Sequence, residues 1–274
     1  MKLFKKGAAL ICALLLVFGF AGSALAAGVD FSMTPGTVDV GMDFAGTQVK
    51  VTGTAPEGSN VIIKATAPGH PQGLARDGKV SGLWMTVETA TVKGAPGMYQ
   101  VWTSGSINDI PAAAQKEMGV DPEFSAIMNT AEVTTKDGEK TVTLTGDRAE
   151  VYLKGLIDIY KEKGLYTINE GTVQVNNGSF EAVLDIPASV PRGELSISVY
   201  AVDQDGTVLA DITKPLMVQD VGLVATLGHM AHENPVAYGI TAVVIALATG
   251  LTAANLFKII FAKIFKDEGV SAGH

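Results

Sequence analysis

The nine residues Glu194–Val202, ELSISVYAV, alternate apolar and polar side chains along their length. A period of two sets Leu195, Ile197, Val199 and Ala201 on one face, the pattern of a strand with one side in a core. Reading outward, Asp205-Gly206 is a hairpin signal, and Thr207–Ala210 through Leu216–Val218 returns from it. Upstream, Asn177-Gly178 is a second turn signal beside the strand Phe180–Pro187. The same texture opens the mature chain. Thr37–Phe44 alternates, Gly46-Thr47 turns into Gln48–Gly53, Pro56-Glu57-Gly58 is a turn, and Asn60–Ala65 is a short apolar strand. The early and late groups each supply about three strands, too few alone for a sandwich of about seven. The expected fold is therefore mainly β: an immunoglobulin-like β-sandwich over residues 27–222, closed by both groups, with an inserted α/β segment at about 68–168.

In that middle segment Lys79–Val92, around Leu83-Trp84-Met85, and Met98–Thr103 read as strands, joined through Gly94-Ala95-Pro96-Gly97. Beyond Pro111 the pattern turns helical. Ala112–Met118 is short, and Asp121-Pro122-Glu123 offers an N-cap with proline at the first helical position. In Asp147–Lys163, Ala149, Tyr152, Leu153, Leu156, Ile159 and Tyr160 recur at helical spacing, and Gly164 supplies the stop. Thr134–Thr145, with Asp137-Gly138, reads as a polar hairpin or an exposed loop.

The two ends set the topology. Lys2, Lys5 and Lys6, an apolar run from Ala8 to Phe20 and Ala24-Leu25-Ala26 make a secretory signal peptide over residues 1–26, with Ala27 as the mature start. Near the other end, residues 235–257, PVAYGITAVVIALATGLTAANLF, carry no charge and are followed by Lys258, Lys263 and Lys266. At about 1.5 Å per residue this run reaches the roughly 30 Å of a bilayer core. The lysines belong in the cytoplasm by the positive-inside rule. Residues 223–234 are then a juxtamembrane linker and 258–274 a cytoplasmic tail. The expected location is a bacterial inner membrane, crossed once, with the N-terminal body in the periplasm. Ala242, Ala246, Gly250 and Ala254, four apart, make a small-residue face suited to packing on another membrane helix. Alanine and glycine are also simply common in spans.

Composition excludes several classes. The single cysteine, Cys12, leaves with the signal, so the mature chain has no disulfide, thiolate nucleophile or cysteine-ligated metal. Residues 27–234 hold 14 Lys and Arg against 26 Asp and Glu, a net charge of −12 that disfavours nucleic acid and anionic lipid surfaces.

The candidate chemistry is sparse. His229 and His232, three apart with Met230 between them and Glu233 beside, are the candidate metal ligands, a donor set suited to copper, with His70 as a third. The bland reading is a pair of interfacial side chains. Trp84, Tyr99 and Trp102 are candidates for a binding groove, or core residues of strands. No serine sits in a Gly-x-Ser-x-Gly elbow, and Gly94–Gly97 lacks the context of a phosphate loop. Asp147, Glu150 and Asp158 read as a solvated helix face. No catalytic residues and no cofactor are expected.

Gly78–Met85 (GKVSGLWM), Ala95–Tyr99, Thr103–Ser106, Gly164–Tyr166, the Phe180–Gly193 run with Ile186-Pro187 and Val190–Gly193, and Pro235–Gly239 together carry a resemblance. Over most of the mature chain this sequence resembles the putative alphaproteobacterial transmembrane protein family. The resemblance implies an exported β body with one C-terminal membrane helix and no defined activity. Members are often encoded near permeases resembling sulfite exporters, so it also implies a membrane permease as partner. The polar stretch Glu132–Thr145 looks like a local elaboration on the family pattern.

The expected function is a membrane-anchored periplasmic accessory or interaction subunit, not an enzyme, bound to another inner-membrane protein and to the bilayer through one span. The alternative is a periplasmic solute- or copper-binding protein.

Overall fold

The structure is a computed structural model that describes residues 28–264; the expected signal peptide and most of the expected tail lie outside the described residues. In chain order the strands are β1 (Asp30–Thr34), β2 (Thr37–Val40), β3 (Gly46–Thr54), β4 (Asn60–Ala67), β5 (Gln72–Val80), β6 (Leu83–Lys93) and β7 (Met98–Thr103). They continue as β8 (Glu132–Asp137), β9 (Lys140–Leu144), β10 (Tyr166–Asn169), β11 (Gln174–Asn176), β12 (Ser179–Pro187), β13 (Gly193–Val202) and β14 (Val208–Asp220). The helices are α1 (Ala112–Met118), α2 (Ser125–Thr130), α3 (Asp147–Glu162), α4 (Gly222–Glu233) and α5 (Pro235–Ile264). The protein is mainly β, with an apolar C-terminal helix.

The strands form three sheets: four strands in the order β1-β3-β12-β11, six in the order β10-β7-β4-β13-β14-β2, and four in the order β5-β6-β8-β9. Early and late strands pair directly. β12 runs antiparallel to β3 with Leu184 opposite Val49, and β13 runs antiparallel to β4 with Val199 opposite Ile63. Residues 68–168, read as an insertion, do not stand apart from this framework. They give β7 to the six-stranded sheet beside β4, and β10, which begins at their end, lies parallel to β7. A parallel neighbour needs a long crossover, which the segment carrying α1, α2 and α3 provides. That parallel pair departs from the all-antiparallel pattern of an immunoglobulin-like sandwich.

Antiparallel partners share a face, so register divides the core. Val61, Ile63, Ala65, Ile197, Val199, Ala201, Met98 and Trp102 line one face of the six-stranded sheet, and all are buried. In the four-stranded β1-β3-β12-β11 sheet, Val49, Val51, Phe180, Ala182, Leu184 and Ile186 are the buried row. Burying one such large side chain contributes about 1.5–3 kcal/mol, which makes these rows the main stabilising mass of the body. The opposite face of the six-stranded sheet meets the helical segment. Lys64 on β4 donates to the Met118 carbonyl at the end of α1, and Tyr99 on β7 donates to the Gly119 carbonyl.

Local departures from the sequence reading have physical causes. Lys79–Val92 is not one strand: Ser81 (φ 52°) and Gly82 (φ 87°) form a two-residue turn, with Val80 opposite Leu83. Two positive φ angles suit the twist of a hairpin. Thr134–Thr145 is a hairpin, β8–β9, with Asp137 opposite Lys140. The helix expected from Asp121 starts at Ser125, after Phe124 in the left-handed region (φ 54°). Asp121 still serves as a cap, its Oδ2 accepting from the Ser125 amide at 2.7 Å and the Ser125 hydroxyl at 2.6 Å. On α3 the buried stripe is Tyr152, Leu153, Leu156, Ile157 and Tyr160; Ile159, expected inside, is exposed.

A second compact unit comprises residues 39–44 and 219–264 in the described range. The Val221 amide donates to the Val40 carbonyl at 3.0 Å, and Gln219 Nε2 donates to Asp39 Oδ1 at 2.9 Å. The stretch 223–234, read as a linker, belongs to α4, where Val224, Leu227, Met230 and Ala231 recur at helical spacing and are half-buried. Asn234 breaks the helix with extended φ (−140°), and its Oδ1 accepts from the Ala237 amide at 3.1 Å. That is an N-cap for α5, with Pro235 at the first helical position.

Candidate functional site

The three aromatic candidates are not brought together. Tyr99 and Trp102 lie on opposite faces of β7, because Tyr99 pairs with Thr66 and Trp102 with Ile63. Both are buried. Trp102 belongs to the core row described above. Tyr99 belongs to an aromatic cluster under the helices, with Phe124 at 5.7 Å and Tyr166 at 6.1 Å between ring centroids. Tyr166 in turn meets Tyr160 edge-on at 5.0 Å and stacks on Phe124 at 5.4 Å. Burial pushes the Tyr99 and Tyr166 phenols above their ordinary range, with the nearby Asp121 charge a lesser cause at Tyr99. Each hydroxyl is committed to a backbone carbonyl, Tyr99 to Gly119 and Tyr166 to Pro96 at 2.6 Å. These side chains hold helices on a sheet.

Trp84 is different. It lies at the far end of the β5–β6 hairpin and is 72% exposed, with Leu83 at 73% and Met85 at 50%. Only Thr91–Lys93 at the base of β6 pair with β8. Near the middle, Glu88 is held by Arg76 at 3.2 Å and by Arg148 from α3. The Arg148 guanidinium keeps the Glu88 carboxyl below its usual range. Beyond Glu88 the hairpin runs on as a two-stranded ribbon. Directly opposed pairs set its faces: Lys79 and Trp84 share one, with Lys79 Nζ 5.6 Å from the ring centroid, while Val80, Leu83 and Met85 share the other. In the sequence this run reads as part of a strand, with Trp84 a candidate either for a binding groove or for a core. The signal that could have placed it was Ser81-Gly82, a turn dipeptide inside the run.

In the second unit, α5 carries an apolar stretch Pro235–Phe261 of 27 residues and mean hydropathy 1.9, none of it buried against the described protein. At about 1.5 Å per residue it is roughly 40 Å long, ample for a bilayer core. The chain from residue 28 to 259 matches the family described as "Putative transmembrane protein (Alph_Pro_TM)". The chain belongs to this family. No curated protein and no solved structure matches it. As a member of that family with one such helix among the described residues, it is a membrane protein. Ala242, Ala246, Gly250 and Ala254 lie along α5 at four-residue spacing, all exposed.

His229 and His232 are on α4. His229 Nε2 lies 3.1 Å from Glu233 Oε1, one helical turn on, and both side chains are exposed. Met230 is turned inward, its sulfur 3.6 Å from the Thr241 hydroxyl. Among the described residues no three His, Cys, Asp or Glu side chains are grouped to hold a metal ion. The acidic residues of α3 lie on its open side, where Glu150 pairs with Lys154 at 2.5 Å.

Proposed function

We propose that this membrane protein is a non-catalytic accessory or interaction subunit: a periplasmic β body held at the inner membrane by one C-terminal span, its C-terminus in the cytoplasm, docked on another inner-membrane protein. A permease is the class of partner that the family resemblance suggests. The observation that carries the reading is the span. It is apolar on every side, unburied by the described protein, and bears an unbroken row of small residues at Ala242, Ala246, Gly250 and Ala254. Such a row lets a second membrane helix approach closely. Three buried polar side chains of the body make structural contacts, while Gln100 Oε1 and Asp121 Oδ1 stay buried without a hydrogen-bond partner among the described residues. Gln115 Nε2 donates to the Ile107 and Ile110 carbonyls at 2.8 and 2.7 Å, Gln100 Nε2 donates to the Gly164 carbonyl at 2.7 Å, and Asp121 caps α2.

The test is a photoreactive residue at Ala246 in the full chain, irradiated in native membranes. A discrete protein adduct that disappears in Gly250→Leu supports the proposal. Adducts to lipid alone, with the detergent-solubilised protein running as a monomer, would sink it. In the alternative, a solute- or copper-binding protein, His229 and His232 would be ligands.

A further inference from the structure

The exposed hairpin tip asks for a covering that the described body does not provide. Val80, Leu83, Trp84 and Met85 follow one another around a two-residue turn, and their side chains leave both faces of the ribbon. A flat protein surface would cover one face and leave the other in water. The occupant that fits is one able to close around a wedge from every side.

The chain supplies such a medium by its own covalent structure. A protein with a membrane helix keeps its body tethered beside a bilayer, so a lipid surface is always at high local concentration. The chemistry of the tip matches the interfacial zone. Tryptophan is enriched at the level of the headgroups, and a lysine one step behind can extend its ammonium to the phosphates while its stem stays with apolar neighbours. Lys79 stands in that position, over the Trp84 ring and without a carboxylate partner among the described residues. The net charge of −12 over residues 27–234 repels the remainder of the body from anionic headgroups, which confines contact to this small apolar end with its Lys79, behind which Asp77 accepts from the Thr86 hydroxyl.

We propose that the tip of the β5–β6 hairpin, with Val80, Leu83, Trp84 and Met85 as the inserted side chains and Lys79 at phosphate level, enters the outer leaflet interface of the bilayer. This stands independently of whether the span has a protein partner.

The chain has only two tryptophans, and Trp102 is buried in the core, so the experiment is clean. The full-length protein and Trp84→Phe are placed in nanodiscs of phosphatidylcholine with brominated acyl chains. Their difference in emission isolates Trp84. The expected result is loss of the Trp84 component with bromolipid, its shielding from aqueous acrylamide, and reversal of both effects by Leu83→Asp. Trp84 emission that bromolipid leaves intact and acrylamide quenches would overturn the proposal. Emission protected from both quenchers would overturn it in favour of a protein surface or a second copy of the chain. Leu83→Asp stays distant from the core, so a folded variant with undiminished bromolipid quenching would also refute it.

Discussion

Tyr166 tests how the helical layer is held on the sheet. It is 1% exposed, its ring touches Tyr99, Phe124 and Tyr160, and its hydroxyl donates to the Pro96 carbonyl at 2.6 Å. Two substitutions separate hydroxyl from ring. Tyr166→Phe keeps the aromatic contacts and removes one hydrogen bond to a partly buried carbonyl, a cost of about 1 kcal/mol. Tyr166→Ala also empties the ring volume, for which aromatic-to-alanine changes in cores cost about 3–5 kcal/mol. Against a domain stability of about 5–15 kcal/mol the alanine variant comes close to unfolding and the phenylalanine variant does not. The assay is urea unfolding of the full chain in detergent, followed by near-ultraviolet circular dichroism. Both midpoints fall at unchanged slope, the alanine midpoint several times further. Val183→Ala, at an exposed position of β12, stays within about 0.5 kcal/mol of the parent. Equal losses for the two tyrosine variants would mean that the hydroxyl's bond to the β6–β7 loop, not the ring packing under the helices, carries the residue's contribution. Losses below about 0.5 kcal/mol for both would mean that the cluster does not hold the layers at all.

The close approach of two loops predicts a glycine requirement at Gly69, where an added Cβ would stand 1.7 Å from the Ala95 carbonyl oxygen. Gly69→Ala should lower the urea midpoint by an amount equivalent to about 1–3 kcal/mol, as overpacking does, although the exchange removes a flexible residue. The buried phenols predict alkaline lability: above about pH 10 the unfolded chain ionises its tyrosines while Tyr99 and Tyr166, with raised pKa, keep their protons. The unfolded state then binds fewer protons, so their contribution, complete below that pH, falls by about 1.4 kcal/mol per pH unit for each, and Tyr99→Phe makes the loss shallower in urea midpoints taken at rising pH. For copper, calorimetry with Cu(I) and Cu(II) on the full chain should give heats indistinguishable between the parent and His229→Ala/His232→Ala. A stoichiometric heat lost in the double variant would instead establish the metal-binding alternative.

How much was legible in the chain follows from where one face is buried. β13 could be read from Glu194–Val202 because only one side of that stretch is uniformly apolar, and the side chains report the strand's period directly. The apolar span was legible for a similar reason, since the uncharged run over residues 235–257 has few other homes. β7 is buried at all six positions, so its composition says strand but cannot say which face Tyr99 or Trp102 takes. That depends on pairing with β4, residues far away in sequence. On α3 the choice between Ile157 and Ile159 depends on how the helix is rotated against the sheet, the rotation in which Tyr160 meets Tyr166.

The hairpin tip is the most instructive case, because the same residues support opposite readings. Leu83-Trp84-Met85 in an apolar run is what a buried strand looks like, and composition alone favours burial. What reverses it is a matter of support. Of β6 only the base pairs with β8, α3 reaches as far as Glu88 through Arg148, and the ribbon then continues past its last neighbour. Leaving a leucine, a tryptophan and a methionine in water forgoes several kcal/mol that burial would have contributed. Folding alone gains nothing from placing them on a projecting turn, where serine or lysine would serve the two-residue hairpin equally well. The exposure therefore has its physical reason outside the folded body, and the bilayer to which the chain is already tethered is the nearest apolar phase.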